Sequence, residues 1–150
     1  ITALASSSAG NAYLLDGRSP LLLDCGLSIR ELKRATGYRL SSLAGCLCTH
    51  EHGDHSKAAA GLMRAGVDCY MSQGTADTLG LTGHRLKIVK PLQQFPVGGW
   101  AVLPFDTVHD AAVARQQLTA VLDPRAALEH ALGEITHYRD QYHQGRAQQS

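Results

Sequence analysis

A cluster of side chains that can bind a metal, in residues 49–55, constrains this chain more than any other feature of its sequence. The cluster contains His50, His52, Asp54 and His55. His50 and His52 are two positions apart, so in an extended backbone their side chains leave the same face, and Asp54 continues that alternation. Ligand pairs directed into one pocket suit two metal ions roughly 3.5–4 Å apart, as in hydrolytic two-metal sites. The alternative is a polar loop without ligands, which is disfavoured because such clusters rarely serve only packing.

Two apolar segments place this cluster at the end of a buried strand. Residues 43–49 are mostly apolar and predict a strand whose carboxyl end carries the histidines. Asp24 follows three leucines, so it is predicted at the end of a second buried strand, where a carboxylate is costly unless it is paired. We expect Asp24 to orient a metal-bound imidazole from behind. A turn-initiating aspartate is the alternative.

Other local patterns predict short regular elements around these two strands. In chain order they are a hairpin of residues 12–15 and 21–23, a helix opened by a capping box at Ser28 and Glu31, a helix over residues 56–65, a short helix capped by Thr75, and a hairpin turn at residues 97–100.

The motif His50-Glu51-His52-Gly53-Asp54-His55 resembles the H-x-H-x-D-H signature of the metallo-β-lactamase-fold hydrolases. Residues 21–26 resemble the family's upstream aspartate motif, and residues 105–111 resemble a later segment that carries a third histidine, His109. Residues 6–11 are similar to the first turn of a small bacterial subgroup that includes nucleic-acid-trimming exonucleases. An isolated His109 would more often be a surface or core residue, but beside the earlier cluster a ligand is favoured.

The resemblance implies an α/β fold with α+β layers: a metallo-β-lactamase-like half-sandwich, with helices on the sheet, over residues 1–112. It also implies that His50, His52 and His109 bind one metal ion and that Asp54 and His55 contribute to a second. Asp24 would stand behind them, and Asp54 would also orient the attacking water as the catalytic residue. We expect one or two divalent ions, with zinc favoured over manganese or iron.

The sequence changes character after residue 112. Residues 113–150 are predicted to be a helical C-terminal segment, either part of the same domain or a partner-binding extension. Its two helices are predicted over residues 113–122 and 124–143, with Asp123 as an N-cap. His130 and His137 share one helix face, which we expect to be solvated, with completion of a metal site as the alternative.

Full-length relatives carry, as the resemblance implies, a second half with a metal-bridging aspartate and a final histidine, and neither motif follows His109. Three explanations remain open: an alternative segment closes the half-fold, a second chain covers the open sheet, or the sequence is a truncated or rearranged form. The first two predict a homo-oligomer or a partner chain, because an open sheet exposes apolar surface.

Charge and cysteine usage limit the partners and the compartment. A formal net charge of +1 argues against a strongly basic nucleic-acid groove. Lys57, Arg64 and Lys90 are expected to face solvent, with contact to an anionic substrate as the alternative. No apolar run approaches the roughly 20 residues of a membrane span, and no signal peptide is recognised, so we expect no membrane partner and a cytoplasmic location. The four cysteines, Cys25, Cys46, Cys48 and Cys69, are predicted to be reduced and buried.

The sequence therefore predicts a metal-dependent hydrolase that cleaves phosphodiester bonds in nucleic acid with a metal-activated water. The substrate rests on the subgroup resemblance alone, since fold does not determine function. The first alternative is a non-catalytic binding or assembly module that retains the metal loop. The second is a small-molecule ester or thioester hydrolase.

Overall fold

The computed structural model of the chain describes residues 1–108 and 115–122. Its strands are β1 (Thr2–Ser7), β2 (Gly10–Leu15), β3 (Leu21–Leu23), β4 (Gly45–Leu47), β5 (Cys69–Met71), β6 (Leu86–Ile88), β7 (Phe95–Val97), β8 (Trp100–Val108) and β9 (Arg115–Leu122). Its helices are α1 (Ile29–Ala35), α2 (Gly53–Ser56), α3 (Ala59–Arg64) and α4 (Gln73–Leu79), with a 3-10 turn at Leu40–Ser42.

The larger sheet positions the histidine loop. It has six strands in the order β1-β2-β3-β4-β5-β6, with antiparallel pairing up to β3 and parallel pairing from β3 to β6. Every residue of β4 is buried, as expected for a parallel strand covered on both faces. The carboxyl ends of β3 and β4 lie side by side, because Leu23 pairs with Leu47. Asp24 and the histidine loop therefore leave the sheet at the same edge.

Two apolar layers enclose this sheet. Leu32 of α1, Leu62 of α3 and Ala76 of α4 pack with one face of the sheet. A second cluster joins the opposite face to the smaller sheet, with Leu47 packed in the same cluster as Val102. The predicted layered α/β half-sandwich with helices on the sheet is confirmed. The division of the chain at residue 112 stays a prediction.

The smaller sheet corrects one prediction about the C-terminal segment. It runs β7-β8-β9, and the predicted turn at residues 97–100 joins its first two strands. Arg115–Leu122 is β9, antiparallel to β8, so the helix predicted over residues 113–122 is wrong for these positions. The physical reason is that intrinsic helix propensity is a weak preference, and the unpaired edge of the long strand β8 offers backbone hydrogen bonds that override it. The other predicted helix, with His130 and His137, lies outside the described residues.

The helix starts follow local capping chemistry, with two corrections. The capping box of Ser28 and Glu31 is present at α1 as predicted. The predicted cap of α4 at Thr75 is wrong, because the Ser72 hydroxyl accepts a hydrogen bond from the Thr75 amide and so caps the helix three residues earlier. The helix predicted over residues 56–65 is found as the shorter α3 (Ala59–Arg64), and Ser56 belongs instead to the preceding helix α2. Within the described part of the chain, no helix is long and apolar enough to cross a membrane.

All four cysteines are free and buried in the sheet–helix core, as predicted. Cys46 and Cys69 are registered partners on adjacent strands. Thiol hydrogen bonds from Cys46 and Cys48 lower the pKa of Cys25 to about 5. The sulfur of Cys48 also lies 3.4 Å from the backbone carbonyl oxygen of His50. The cysteines therefore pack directly behind the histidine loop.

Candidate metal centre

The histidine loop leaves β4 and turns at once into the one-turn helix α2. The Ser56 hydroxyl lies 2.8 Å from the carbonyl oxygen of Glu51 and 2.9 Å from that of His52, within donating distance of both. The amide of His55 donates to the carbonyl of His52. These local bonds hold the loop tightly curved, so that its side chains gather on one side of the sheet edge.

Three imidazole rings are brought together by this curvature. The ring centroids of His50 and His52 are 4.7 Å apart, and those of His50 and His55 are 4.1 Å apart. His50 is buried, and this burial, followed by the charges of His55 and His52, lowers its pKa. Neutral imidazole is the form that binds metal ions.

Asp24 anchors this group from beneath. It is 4% exposed and lies in the left-handed backbone region, with φ of 58°. Its Oδ1 accepts hydrogen bonds from the Thr49 amide and hydroxyl, both at 2.9 Å, and its Oδ2 lies 2.7 Å from Nδ1 of His55. A carboxylate only accepts, so Nδ1 of His55 carries the proton. Asp24 thus contacts an imidazole as predicted, although its role toward a metal stays a prediction.

Thr49 links Asp24 to a second histidine, His50. Its hydroxyl has a single hydrogen, which is donated to Asp24, so the hydroxyl oxygen accepts from Nδ1 of His50 at 2.9 Å. His50 and His55 therefore both hold their proton on Nδ1. In each ring the lone pair is then on Nε2, which is the atom that a metal would use.

Asp54 and His55 meet on the outer side of the loop. Oδ2 of Asp54 lies 3.5 Å from Nε2 of His55. The side-chain amide of Asn11 lies beside both, with its nitrogen 3.4 Å from that carboxylate oxygen and 3.2 Å from the imidazole nitrogen. Asn11 was not predicted as a site residue. The turn that carries it was noted only for its family resemblance, because no local pattern shows that residues 43 positions apart would meet.

The absence of a side chain at Gly26 allows Asn11 and Asp54 to approach each other. A Cβ on Gly26 would lie 1.7 Å from the carbonyl oxygen of Asp54 and 2.7 Å from the backbone nitrogen of Asn11. The amide of Gly26 also donates to the carbonyl of Asn11. The first turn of the chain, the segment after β3 and helix α2 are therefore in direct backbone contact.

A complete coordination sphere is not formed by the side chains of residues 1–105 alone. Within the part that the structure describes, no group of three or more histidine, cysteine, aspartate and glutamate side chains is placed so that it could hold a metal ion. The predicted third histidine of the first metal, His109, lies outside the described residues. The donor chemistry nevertheless fits a divalent ion, because the loop supplies imidazole and carboxylate donors, and the protons of His50 and His55 are held on Nδ1, away from Nε2.

A family model described as the metallo-beta-lactamase superfamily matches residues 7–132. The chain belongs to this superfamily. The match includes the histidine loop. It also includes His109, which lies outside the described residues. No curated protein matches the sequence.

Solved structures agree on the fold. The metallo-β-lactamase-fold protein YhfI from Bacillus subtilis is 20% identical, with a TM-score of 0.61 over 81% of this chain. The metallo-β-lactamase IND-7 is 17% identical, with a TM-score of 0.57 over 73% of this chain. Rubredoxin oxygen:oxidoreductase from Desulfovibrio gigas is 17% identical, with a TM-score of 0.58 over 75% of this chain.

The match spans only part of each of these proteins. It covers 53% of YhfI, 53% of IND-7 and 31% of the Desulfovibrio gigas protein. At these identities the similarity shows the fold alone, and one of the three is named as an oxidoreductase. Chemistry must therefore be argued from this chain's own side chains.

Proposed function

We propose that this chain is a metal-dependent hydrolase whose centre is assembled around the loop of residues 50–55. Superfamily membership supports the reaction class. The observation that carries the proposal is the double anchor of Asp24, which holds the proton of His55 directly and that of His50 through Thr49. A chain that used these histidines only for packing would have no need to fix the same tautomer in two of them.

We assign His50, His52 and His109 to one divalent ion, and Asp54 and His55 to a second. Zinc is the ion we expect, and manganese or iron suits the same donors. A bound ion supplies a Lewis acid and lowers the pKa of its water toward about 7. We expect Asp54 to orient that water, and its half-exposed carboxylate beside His55 supports this role.

Phosphodiester bonds in nucleic acid are the substrate class we propose. The support is the similarity of the first turn, residues 6–11, to a nuclease-containing subgroup, and the structure places Asn11 of that turn against Asp54. An ester or thioester of a small molecule is the alternative substrate. The net charge of +1 predicts that affinity for nucleic acid comes from a few local contacts rather than a basic groove.

A non-catalytic assembly module is the second candidate function. The observation that favours it is topological: among the described strands β1, β6, β7 and β9 each pair on one side only, so each sheet has two unpaired edges. A second copy or a partner chain could pair there. The metal loop would then be a structural staple with a closed coordination sphere.

Metal content separates these functions. The full chain is purified without chelator, and bound metal is quantified by elemental analysis beside His52→Ala and, as a matched control, His84→Ala, which changes an exposed histidine away from the loop. Hydrolysis is followed with bis(p-nitrophenyl) phosphate and with single-stranded DNA. The hydrolase proposal expects metal and hydrolysis in the wild type and in His84→Ala, and loss of both in His52→Ala. Tightly held metal without hydrolysis of either phosphodiester or of p-nitrophenyl acetate would establish the assembly module instead.

A further inference from the structure

The side-chain nitrogen of Asn11 is surrounded by more acceptors than it has hydrogens. It lies 3.2 Å from the carbonyl of Ser7, 3.4 Å from the carbonyl of Asp54, 3.4 Å from Oδ2 of Asp54 and 3.2 Å from Nε2 of His55. An amide group carries two hydrogens, so it cannot satisfy all four acceptors at once. Two are backbone atoms, and two are the atoms assigned above to the second metal ion.

The backbone carbonyls determine which end of the amide faces the site. Carbonyl oxygens accept only, so the oxygen of Asn11 would meet two like acceptors if the amide were reversed. The nitrogen therefore faces Asp54 and His55. An amide nitrogen only donates, so in its 3.2 Å contact with Nε2 of His55 the ring nitrogen is the acceptor. Asn11 is thus a donor to the ligand atoms and not a ligand itself.

We propose that Asn11 is a positioning residue for the second metal ion, holding Asp54 and His55 as a preformed pair. This inference rests on the proposed function. In the metal-free chain the amide donates to the carboxylate and the imidazole. If those two atoms were to bind an ion, the carbonyls of Ser7 and Asp54, at 3.2 and 3.4 Å, would remain as acceptors for the two amide hydrogens.

The surrounding backbone keeps Asn11 in reach of both sets of acceptors. Gly10 is buried, and a Cβ there would lie 2.8 Å from the carbonyl oxygen of Gly26. Gly26 in turn is bonded to Asn11 and presses against Asp54. The Asn11 side chain is half-buried at the edge of the core, so its amide can be replaced without opening a cavity among the apolar residues.

The test compares Asn11→Leu, which keeps the shape but removes both hydrogens, with Ser8→Ala in the same turn as the control. Metal-free full-length chains are titrated with Co²⁺ and followed by its visible d–d absorption. We expect two binding steps in the wild type and in the control. In Asn11→Leu the first step should be unchanged, and the second should weaken by about 10-fold or more.

A second readout does not depend on metal. The nitrogen chemical shifts of the His55 ring, measured by NMR in the metal-free protein, should change at Nε2 in Asn11→Leu, because that atom loses its donor. Thermal unfolding of the metal-free variant should match that of the control. Asn11→Gln, which restores the donor on a longer side chain, should recover part of the second binding step.

Three results would overturn the inference. The first is an unchanged or tighter second step in Asn11→Leu. The second is equal weakening of both steps with a lowered unfolding temperature, since that would show a general structural role. The third is a wild type that binds a single Co²⁺ ion, which removes the second site but leaves a one-metal hydrolase standing. A wild type that binds no ion overturns both this inference and the proposed function.

Discussion

Nδ1 of His55 in α2 lies 2.7 Å from Oδ2 of Asp24, so this contact joins the segments that leave the neighbouring parallel strands β4 and β3. The Asp24 amide also donates to the carbonyl of Leu47, and the Cys25 amide donates to the carbonyl of His55. Strand β3 therefore contributes both the carboxylate and the backbone that hold the loop. A side chain at the end of one strand therefore fixes the tautomer of rings that follow the next strand.

Asp24→Asn should invert the tautomer of His55 while leaving the fold intact. The amide oxygen can still accept from Thr49, but its nitrogen would donate to Nδ1 of His55 and move the ring proton to Nε2. A protonated Nε2 cannot ligate, so we expect metal affinity to fall about 10- to 100-fold. Co²⁺ titration measures the affinity, and nitrogen NMR of the metal-free protein reports the tautomer. Asp68→Asn, which removes only the half-exposed ion pair with Arg85, is the matched control, and equal losses in both variants would contradict the role of Asp24.

Thr49→Val should remove the indirect contact of Asp24 with His50 and leave its direct contact with His55. Valine has nearly the shape of threonine but lacks the hydroxyl that contacts both Asp24 and Nδ1 of His50. The hydrogen bond between Asp24 and His55 is unaffected. We expect a changed ring nitrogen spectrum for His50 alone, and loss of about 1–3 kcal/mol in the free energy of unfolding, because Asp24 loses a buried donor. Urea unfolding measures the second quantity. A changed His55 spectrum would show that the two contacts are not independent.

Gly26→Ala should be strongly destabilising. Its Cβ would overlap the carbonyl oxygen of Asp54 at 1.7 Å, and the obstacle is backbone that can move only if α2 moves with it. Overpacking of this kind costs at least about 1–3 kcal/mol in the free energy of unfolding. Gly53→Ala is the control, since a Cβ there meets nothing within 4 Å. Urea unfolding of both variants decides the point, and a Gly26→Ala protein as stable as the Gly53→Ala protein would refute the backbone contact.

Sequence patterns succeeded where the controlling interaction is local. The capping box at Ser28 depends on residues three positions apart, and the hairpin turn at residues 97–100 depends on two glycines between strand-forming residues. The alternation of His50 and His52 likewise predicted rings on one side, and their centroids are 4.7 Å apart. Each of these features is decided within one turn of backbone.

The patterns failed where a distant segment decides the outcome. Residues 115–122 have helix-forming glutamine, alanine and leucine, but the partner strand β8 makes them a strand. No sequence pattern brings Asn11 to the histidine loop, because its contacts depend on how the first turn packs against Asp54 and Gly26. Asp24 was predicted as a paired carboxylate because the three preceding leucines indicate a buried strand, where an unpaired charge is costly. The pairing of β9 and the contacts of Asn11 are visible only in the three-dimensional structure.

Glu31 predicts a pH dependence of stability that comes from helix capping alone. Its hydrogen bonds with the hydroxyl and then the amide of Ser28 lower its pKa below the ordinary 4.5. A lowered folded-state pKa stabilises the fold above the unfolded-state value, and this stabilisation is lost as the pH falls through the folded-state pKa. Wild type should therefore exceed Glu31→Gln in stability at neutral pH, and the difference should shrink as the pH falls below 4.5 and be lost below the folded-state pKa. Urea unfolding across this range tests the sign, and a difference that grows on acidification would contradict it.

The four cysteines should be chemically silent in the native protein. Each is buried, with exposed fractions of 0% for Cys25, Cys46 and Cys69 and 4% for Cys48. A lowered thiol pKa, as at Cys25, ordinarily increases reactivity, but reaction also requires access to the reagent. We therefore expect no rapid reaction with Ellman's reagent under native conditions and reaction of all four thiols in guanidinium. Gln93→Cys, which adds a thiol at an exposed position, should add one fast-reacting group. Fast native labelling of the wild type would mean that the layer behind the histidine loop is open to solvent, which would contradict the buried packing of the four thiols.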